Sequence, residues 1–226
     1  MRLIYSNYGI DLLLSDCQAN TLVLENPIVF SDFLQELIKQ TEGLEGDLIL
    51  SKGDKVLSFS KNVVLISNPL LVDCNEKRIL TKLYKELSDN AKDMSFEEYC
   101  EVNAHILGFL ERIIETVPYH LEMDIDLDMA ALLKAYNVRV VIEEADLLEQ
   151  IIDYLRALST ICGIRVFVFL NLKQFFTPEQ LKYLFEFCSY AKIYLLNLEG
   201  HKNYMAEQEK HVIMDEDLCV IASNEN

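Results

Sequence analysis

Residues 165–198 constrain what this chain can fold into more than any other stretch. The run Arg165-Val166-Phe167-Val168-Phe169-Leu170-Asn171 is almost continuously apolar and rich in β-branched and aromatic side chains, the pattern of a strand buried on both faces of a parallel sheet. Thr177 is followed by Pro178 and then Gln180, which predicts a helix opened by a capping box. Leu181, Leu184, Phe185 and Cys188 recur at helical spacing up to about Tyr190, and residues 191–198 supply a second apolar strand. Such a crossover joins parallel neighbours with right-handed sense, so the rest of the chain must pack around an α/β sheet.

Upstream, residues 2–5, 10–14 and 20–25 predict short strands separated by Asn7-Tyr8-Gly9 and Ser15-Asp16-Cys17, an antiparallel meander. A helix follows over 27–40 with Phe30, Phe33, Leu34, Leu37 and Ile38 on its buried face, ending before Gly43. Residues 47–60 predict a hairpin turning at Lys52-Gly53-Asp54, and residues 62–68 a buried strand closed by Asn68-Pro69. From Cys74 to Val117 the pattern is helical, with a break near Asp93–Ser95, where Ser95 and Glu98 predict a capping box. Phe96, Tyr99, Asn103, Ile106, Leu110, Ile113 and Val117 have the spacing of a seam between paired helices. Residues 69–129 therefore read as a helical excursion, a leg, from an α/β head made of residues 1–68 and 130–226. The head continues with a helix after Asp128, a strand at Arg139–Ile142 and a helix at Asp146–Ile161. A polar loop or short helix at 200–211 and a last strand at Leu218–Ala222 complete it.

With 226 residues, 51% of them hydrophobic, the chain can bury a sizeable core. No apolar run approaches the ~18 residues of a membrane span, and the first residues are a poor signal peptide, which predicts a cytoplasmic protein. The six cysteines include no CxxC pair and read as reduced core thiols.

A net charge of −17 weighs against a simple nucleic-acid binder, but the distribution of charge decides the matter. Arg78, Lys82, Lys85 and Lys92 fall within an arc of roughly 80° at about 100° per residue, opposite Leu80, Leu83, Tyr84 and Leu87. Asp89 lies in the same stripe and Glu86 at its edge. The stripe is either an ordinary solvated face or a phosphate-facing one, and Lys52, Lys55 and Lys61 add basic charge elsewhere.

Between Asp93 and Asp128, ten acidic residues face the single basic Arg112. The run ends in Glu122, Asp124, Asp126 and Asp128 alternating with apolar residues, which in extended chain puts all four carboxylates on one face. The segment is either an exposed acidic approach to the next helix or a calcium-binding cluster. It is not an EF-hand, because Met129 and Ala135 stand where that loop needs Gly and Glu.

Enzyme signatures are absent: no GxxxxGK[ST], GxGxxG or GxSxG occurs, and the four histidines have no zinc-site spacing. The strand at 166–170 ends in Asn171, where a nucleotide hydrolase would commonly place a metal-holding Asp.

The order of VFVFLN, the Thr177-capped helix with Glu179, the strand ending Leu198-Glu199 and the closing Asp215-Glu216-Asp217 resembles the short form of the CRISPR-associated adaptation protein of type II-A systems. The acidic run before Val138-Arg139-Val140 is similar to the linker preceding that family's returning strand. The resemblance implies a P-loop-like α/β head with a mixed sheet and no working nucleotide motif, plus a helical leg. It implies a homotetrameric ring, stabilised by calcium (Ca2+), that holds double-stranded DNA ends in its channel. It also implies a non-enzymatic role in spacer acquisition, an antiviral defence, alongside the CRISPR integrase complex and the RNA-guided effector nuclease. On this footing Glu122, Asp124, Asp126 and Asp128 become calcium ligands, and Arg78, Lys82, Lys85 and Lys92, with Lys52, Lys55 and Lys61 behind them, DNA contacts. The alternatives are a degenerate P-loop-like nucleotide hydrolase and an oligomeric scaffold without DNA contact.

Overall fold

The computed structural model describes residues 1–94, 96–141, 146–206 and 209–222. They form two compact units, Met1–Cys74 with Ile142–Asn226, and Asn75–Val141.

The first unit is a mixed α/β structure built on two sheets. Strands β1 (Arg2–Tyr5), β2 (Ile10–Leu13), β4 (Leu48–Lys52) and β5 (Lys55–Leu57) form an antiparallel sheet in the order β2-β1-β4-β5. The hairpin of β4 and β5 turns at Gly53, whose φ of 59° suits a residue without Cβ. The larger sheet comprises β3 (Ala19–Leu24), β6 (Val63–Ile66), β7 (Val166–Leu170), β8 (Tyr194–Glu199), β9 (Glu209–Met214) and β10 (Val220–Ala222), in the order β10-β9-β3-β8-β7-β6. All its pairs are parallel except β9 with β10.

The predicted crossover stands: β7 and β8 are parallel neighbours joined by α7 (Pro178–Tyr190), which opens with a capping box between Thr177 and Gln180. The predicted meander does not. β3 leaves the small sheet and lies between β8 and β9, because all six of its residues are buried, as a two-sided central strand requires. The stretch expected to be a polar loop at 200–211 also changes: Glu209 begins β9, beside β3, and Glu209 and His211 are buried there. Glu209 and His211 meet each other inside the fold, so their polarity gave a false loop signal.

Alternation along the strands sorts the two faces of the large sheet. Leu22, Leu24, Val166, Val168, Leu196, Leu198, Val212 and Met214 join one core with Leu3, Tyr5, Ile10 and Leu12 of the small sheet and with α1 (Pro27–Thr41). The buried line of α1 runs through Val29, Phe33 and Leu37; Phe30 and Leu34 flank it, while Ile38 is exposed. A short helix α2 (Phe59–Asn62) leads into β6, and α7 packs on β3 and β8. The helix α6 (Leu147–Thr160), capped by Asp146, buries Ile151, Leu155 and Leu158.

The second unit consists of α3 (Lys77–Met94), α4 (Phe96–Ile114) and α5 (Met129–Ala135). Because α5 packs on α3, this unit continues past 129 to Val141. The predicted cap at Ser95 lies outside the described residues. The expected seam is not a buried one: Tyr99, Asn103 and Ile106 are half-buried, and Phe96, Leu110, Ile113 and Val117 are exposed. The expected strand at Arg139–Ile142 is not found over 139–141, and Ile142 lies outside the described residues. The side chain of Asn75 accepts from Val140 N at 2.9 Å and donates to Val140 O at 3.0 Å, so it takes both groups that a neighbouring strand would use.

The cysteines are free, but only Cys74 and Cys188 are buried, against the expectation of six core thiols. Burial pushes the Cys188 thiol up to about 12.

Candidate functional site

The basic stripe is set on α3 as its spacing requires. Arg78, Lys82, Lys85 and Lys92 are all exposed, and Leu80, Leu83, Tyr84 and Leu87 are half-buried. Tyr84 fixes this orientation by donating its hydroxyl to Val138 O at 2.7 Å, and the Lys92 ammonium lies 5.9 Å from the Tyr99 ring centre.

The acidic segment is not extended. It bends at Ile125 and Asp126, and two side chains of α4 hold its backbone: Asn103 donates to Ile125 O at 3.0 Å and Tyr99 to Leu127 O at 2.8 Å. Glu122, Asp124, Asp126 and Asp128 are exposed, and Asp128 caps α5 by accepting from Ala131 N at 3.0 Å. Among the described residues no three His, Cys, Asp or Glu side chains gather where they could share a metal ion. As placed in one chain, the four carboxylates therefore do not make a calcium shell, which takes six to eight oxygens.

In the first unit, Lys52 and Lys55 stand directly opposite each other at the tip of the β4–β5 hairpin, both exposed, and Lys61 is exposed on α2. Like charges facing across a ladder oppose pairing, and the exposed Asp54 lies in the turn between them.

The carboxyl end of β3 is where a parallel sheet usually binds phosphate, at the start of the following helix. That place is filled here. Asn26 accepts from Ile28 N at 3.0 Å and Val29 N at 3.4 Å, Pro27 has no N–H, and Asn26 donates to Glu216 O at 3.0 Å. Glu25 N meanwhile donates to Met214 O at 2.9 Å.

Sequence reasoning missed a buried polar network on the second face of the large sheet. Asn171 adopts a left-handed conformation, φ 51°, at the end of β7, and a turn of 3-10 helix, Leu172–Gln174, follows. This reversal sends Lys173 inward. Its side chain is 2% exposed, and its ammonium donates to Glu209 Oε2 at 2.9 Å and Tyr204 O at 2.7 Å. Glu209 also meets His211 Nε2 at 2.9 Å, the Thr21 hydroxyl and Ala206 N at 3.1 Å. Asn197 donates to Glu199 Oε1 at 2.7 Å and accepts from Leu172 N at 3.1 Å. Burial by itself would raise the Glu209 carboxyl, but hydrogen bonds from His211, Lys173 and Thr21, with the Lys173 charge, hold it down at about 2. A lone lysine after a buried strand was the signal available in the sequence; its partners lay in the stretch read as loop.

These observations define an α/β protein in which the first turn of α1 is capped by Asn26 and which carries an inserted helical unit. Residues 40–218 match the family model of the CRISPR-associated protein (Cas_Csn2), and the chain belongs to that family. A crystal structure of Stu0660 of Streptococcus thermophilus superposes with a TM-score of 0.62 at 15% identity, covering 98% of this chain and 76% of that one, and bears on the fold. A putative ABC transporter ATP-binding protein from Pyrococcus furiosus covers 90% of this chain and 88% of its own at 10% identity, with a TM-score of 0.38. Among the described residues no helix is long and apolar enough to cross a membrane.

Proposed function

We propose that this CRISPR-associated protein is a non-enzymatic, homotetrameric ring that holds double-stranded DNA ends and serves spacer acquisition with the integrase complex and the effector nuclease. The observation that carries the DNA-binding reading is the exposed arc of Arg78, Lys82, Lys85 and Lys92 on α3 in a chain that is otherwise strongly acidic. Contacts from such an arc are to phosphates, so binding is indifferent to sequence and falls steeply with salt. Two further features support the reading. The filled start of α1 speaks against nucleotide hydrolysis, and the exposed apolar residues of α4 favour association of several chains. Calcium enters from the resemblance alone: Glu122, Asp124, Asp126 and Asp128 would need oxygens from beyond their own segment to complete a shell.

The test is a gel shift with linear and covalently closed circular duplex of the same sequence, each with calcium and with chelator. Binding to linear DNA that needs calcium and is absent on the circle is the expected result. Equal binding to both would remove the threading ring but keep a DNA function, and no binding to either would leave an oligomeric scaffold. Replacing Lys82 and Lys85 by Ala should lower the slope of log affinity against log salt by about 0.9 per lost phosphate contact.

A further inference from the structure

The segment Gly200–Ala206 joins β8 to the buried network and lies across it. Its residues from His201 to Met205 are exposed, and among the described residues its one backbone–backbone hydrogen bond is Glu209 N to Ala206 O at 3.2 Å. Side chains and main-chain groups that end on the network hold it instead. Lys173 Nζ reaches Tyr204 O at 2.7 Å and sits 5.1 Å from the Tyr204 ring centre. Ala206 N donates to Glu209 Oε2 at 3.1 Å, and Asn203 donates to Glu199 Oε2 at 3.0 Å. Tyr204, Met205 and Ala206 also wall a pocket of about 240 Å³ whose other side is Pro178, Lys182 and Phe185 of α7.

We propose that Gly200–Ala206 is a latched strap, a conformational device that opens as one piece while the sheet beneath stays folded, carrying one wall of that pocket with it. The latch is Lys173: its ammonium ties the sheet carboxylate Glu209 to the strap carbonyl of Tyr204. An exposed segment with almost no ladder bonds belongs to the least stable part of a fold, and here its closure is set by a few side-chain contacts that end on two buried carboxylates. Opening exposes the Lys173–Glu209 pair to water, which costs little for the ions themselves because hydration replaces the lost contacts. The strap is independent of the DNA-binding reading.

Hydrogen exchange of the full chain, followed by segment, tests this together with the rate of trypsin cleavage after the exposed Lys202. Lys173→Met removes the latch; Asn203→Ala removes only the outer tether on an exposed residue, and so decides alone if Lys173→Met fails to fold. The expected result is that exchange at Ala206, whose amide donates to Glu209, and cleavage after Lys202 rise, roughly tenfold or more for Lys173→Met, the loss of one charge-assisted hydrogen bond, and less for Asn203→Ala. In Asn203→Ala, which leaves the Lys173–Glu209 pair intact, exchange in β3, β7 and β8 should keep its wild-type protection. Unchanged strap exchange and cleavage in the folded variants would overturn the proposal. So would a loss of protection in strap and strands together in Asn203→Ala, since the segment would then be part of the core.

Discussion

The two units of this chain bury themselves to very different degrees. The first holds a continuous core in which Phe33, Leu22, Met214 and Leu198 are wholly inaccessible. In Asn75–Val141 only Ile79 among the described residues is buried, while Met94, Phe96, Phe109, Ile113, Tyr119, Ile125, Tyr136 and Val141 are all about half exposed or more. Helix propensity and short-range side-chain pairs seldom hold such a unit by themselves, because most helical stability comes from a packed apolar face. The contrast teaches that the first unit is stable from within, and that the second leaves most of its apolar surface open, surface that the proposed assembly would cover.

The largest effect should come from charging that open surface. A Phe109→Asp, Ile113→Asp double variant is expected to reduce the molar mass measured by light scattering to that of one chain, with wild-type hydrogen exchange in β3, β7 and β8. Retention of the assembly would break the comparison, since the exposed residues of α4 would then have no partner to lose.

Core truncation separates the units next. Phe167→Ala should lower the stability of the first unit by ~3–5 kcal/mol, whereas Val102→Ala, at a position 39% exposed, should change the second by less than ~1 kcal/mol, both read by denaturant titration with segment-resolved exchange. Equal costs would mean that α4 is packed after all.

A pH titration sharpens the same contrast. The folded Glu209 carboxyl titrates at about 2 against an ordinary 4.5, so its stabilisation is complete above pH 4.5 and is lost as pH falls from there towards 2. That span corresponds to roughly 3 kcal/mol, confined to the first unit. Glu209→Gln should flatten the acid limb of its stability profile; an unchanged limb would place the acid sensitivity elsewhere.

The smallest effect is local. Thr177→Ala removes the capping box of α7 and should cost ~1 kcal/mol, measured as a shift in the denaturation midpoint of the first unit alone.

Local signals in the sequence specified local structure well. The Thr177-Pro178 start, the Lys52–Lys55 hairpin and the apolar runs of β6, β7 and β8 each contain their own reason for forming. What depended on distant partners was hidden. His211 read as part of a polar loop until strand pairing puts it opposite Thr21, and Arg139–Ile142 read as strand, though Asn75 takes the backbone groups of Val140. The basic arc was visible because α3 fixes it by helical repeat. By contrast, the bend in the acidic run arises from Tyr99 and Asn103, more than twenty residues upstream of the carbonyls they hold. The Lys173 network combines both difficulties: five strands and turns must be in place before its charges meet.

The position of β9 has a consequence for how the protein is made. This strand lies between β3 and β10, yet it is separated from β3 by most of the chain, including the whole second unit. The contacts of that unit's helices are local, so none of them waits on distant chain. The sheet that surrounds their insertion point has to wait with an open edge along β3 until residues near 214 emerge. The head is therefore completed last, and during that interval β3 is the surface on which a chaperone, or a neighbouring nascent chain, would find an unpaired strand.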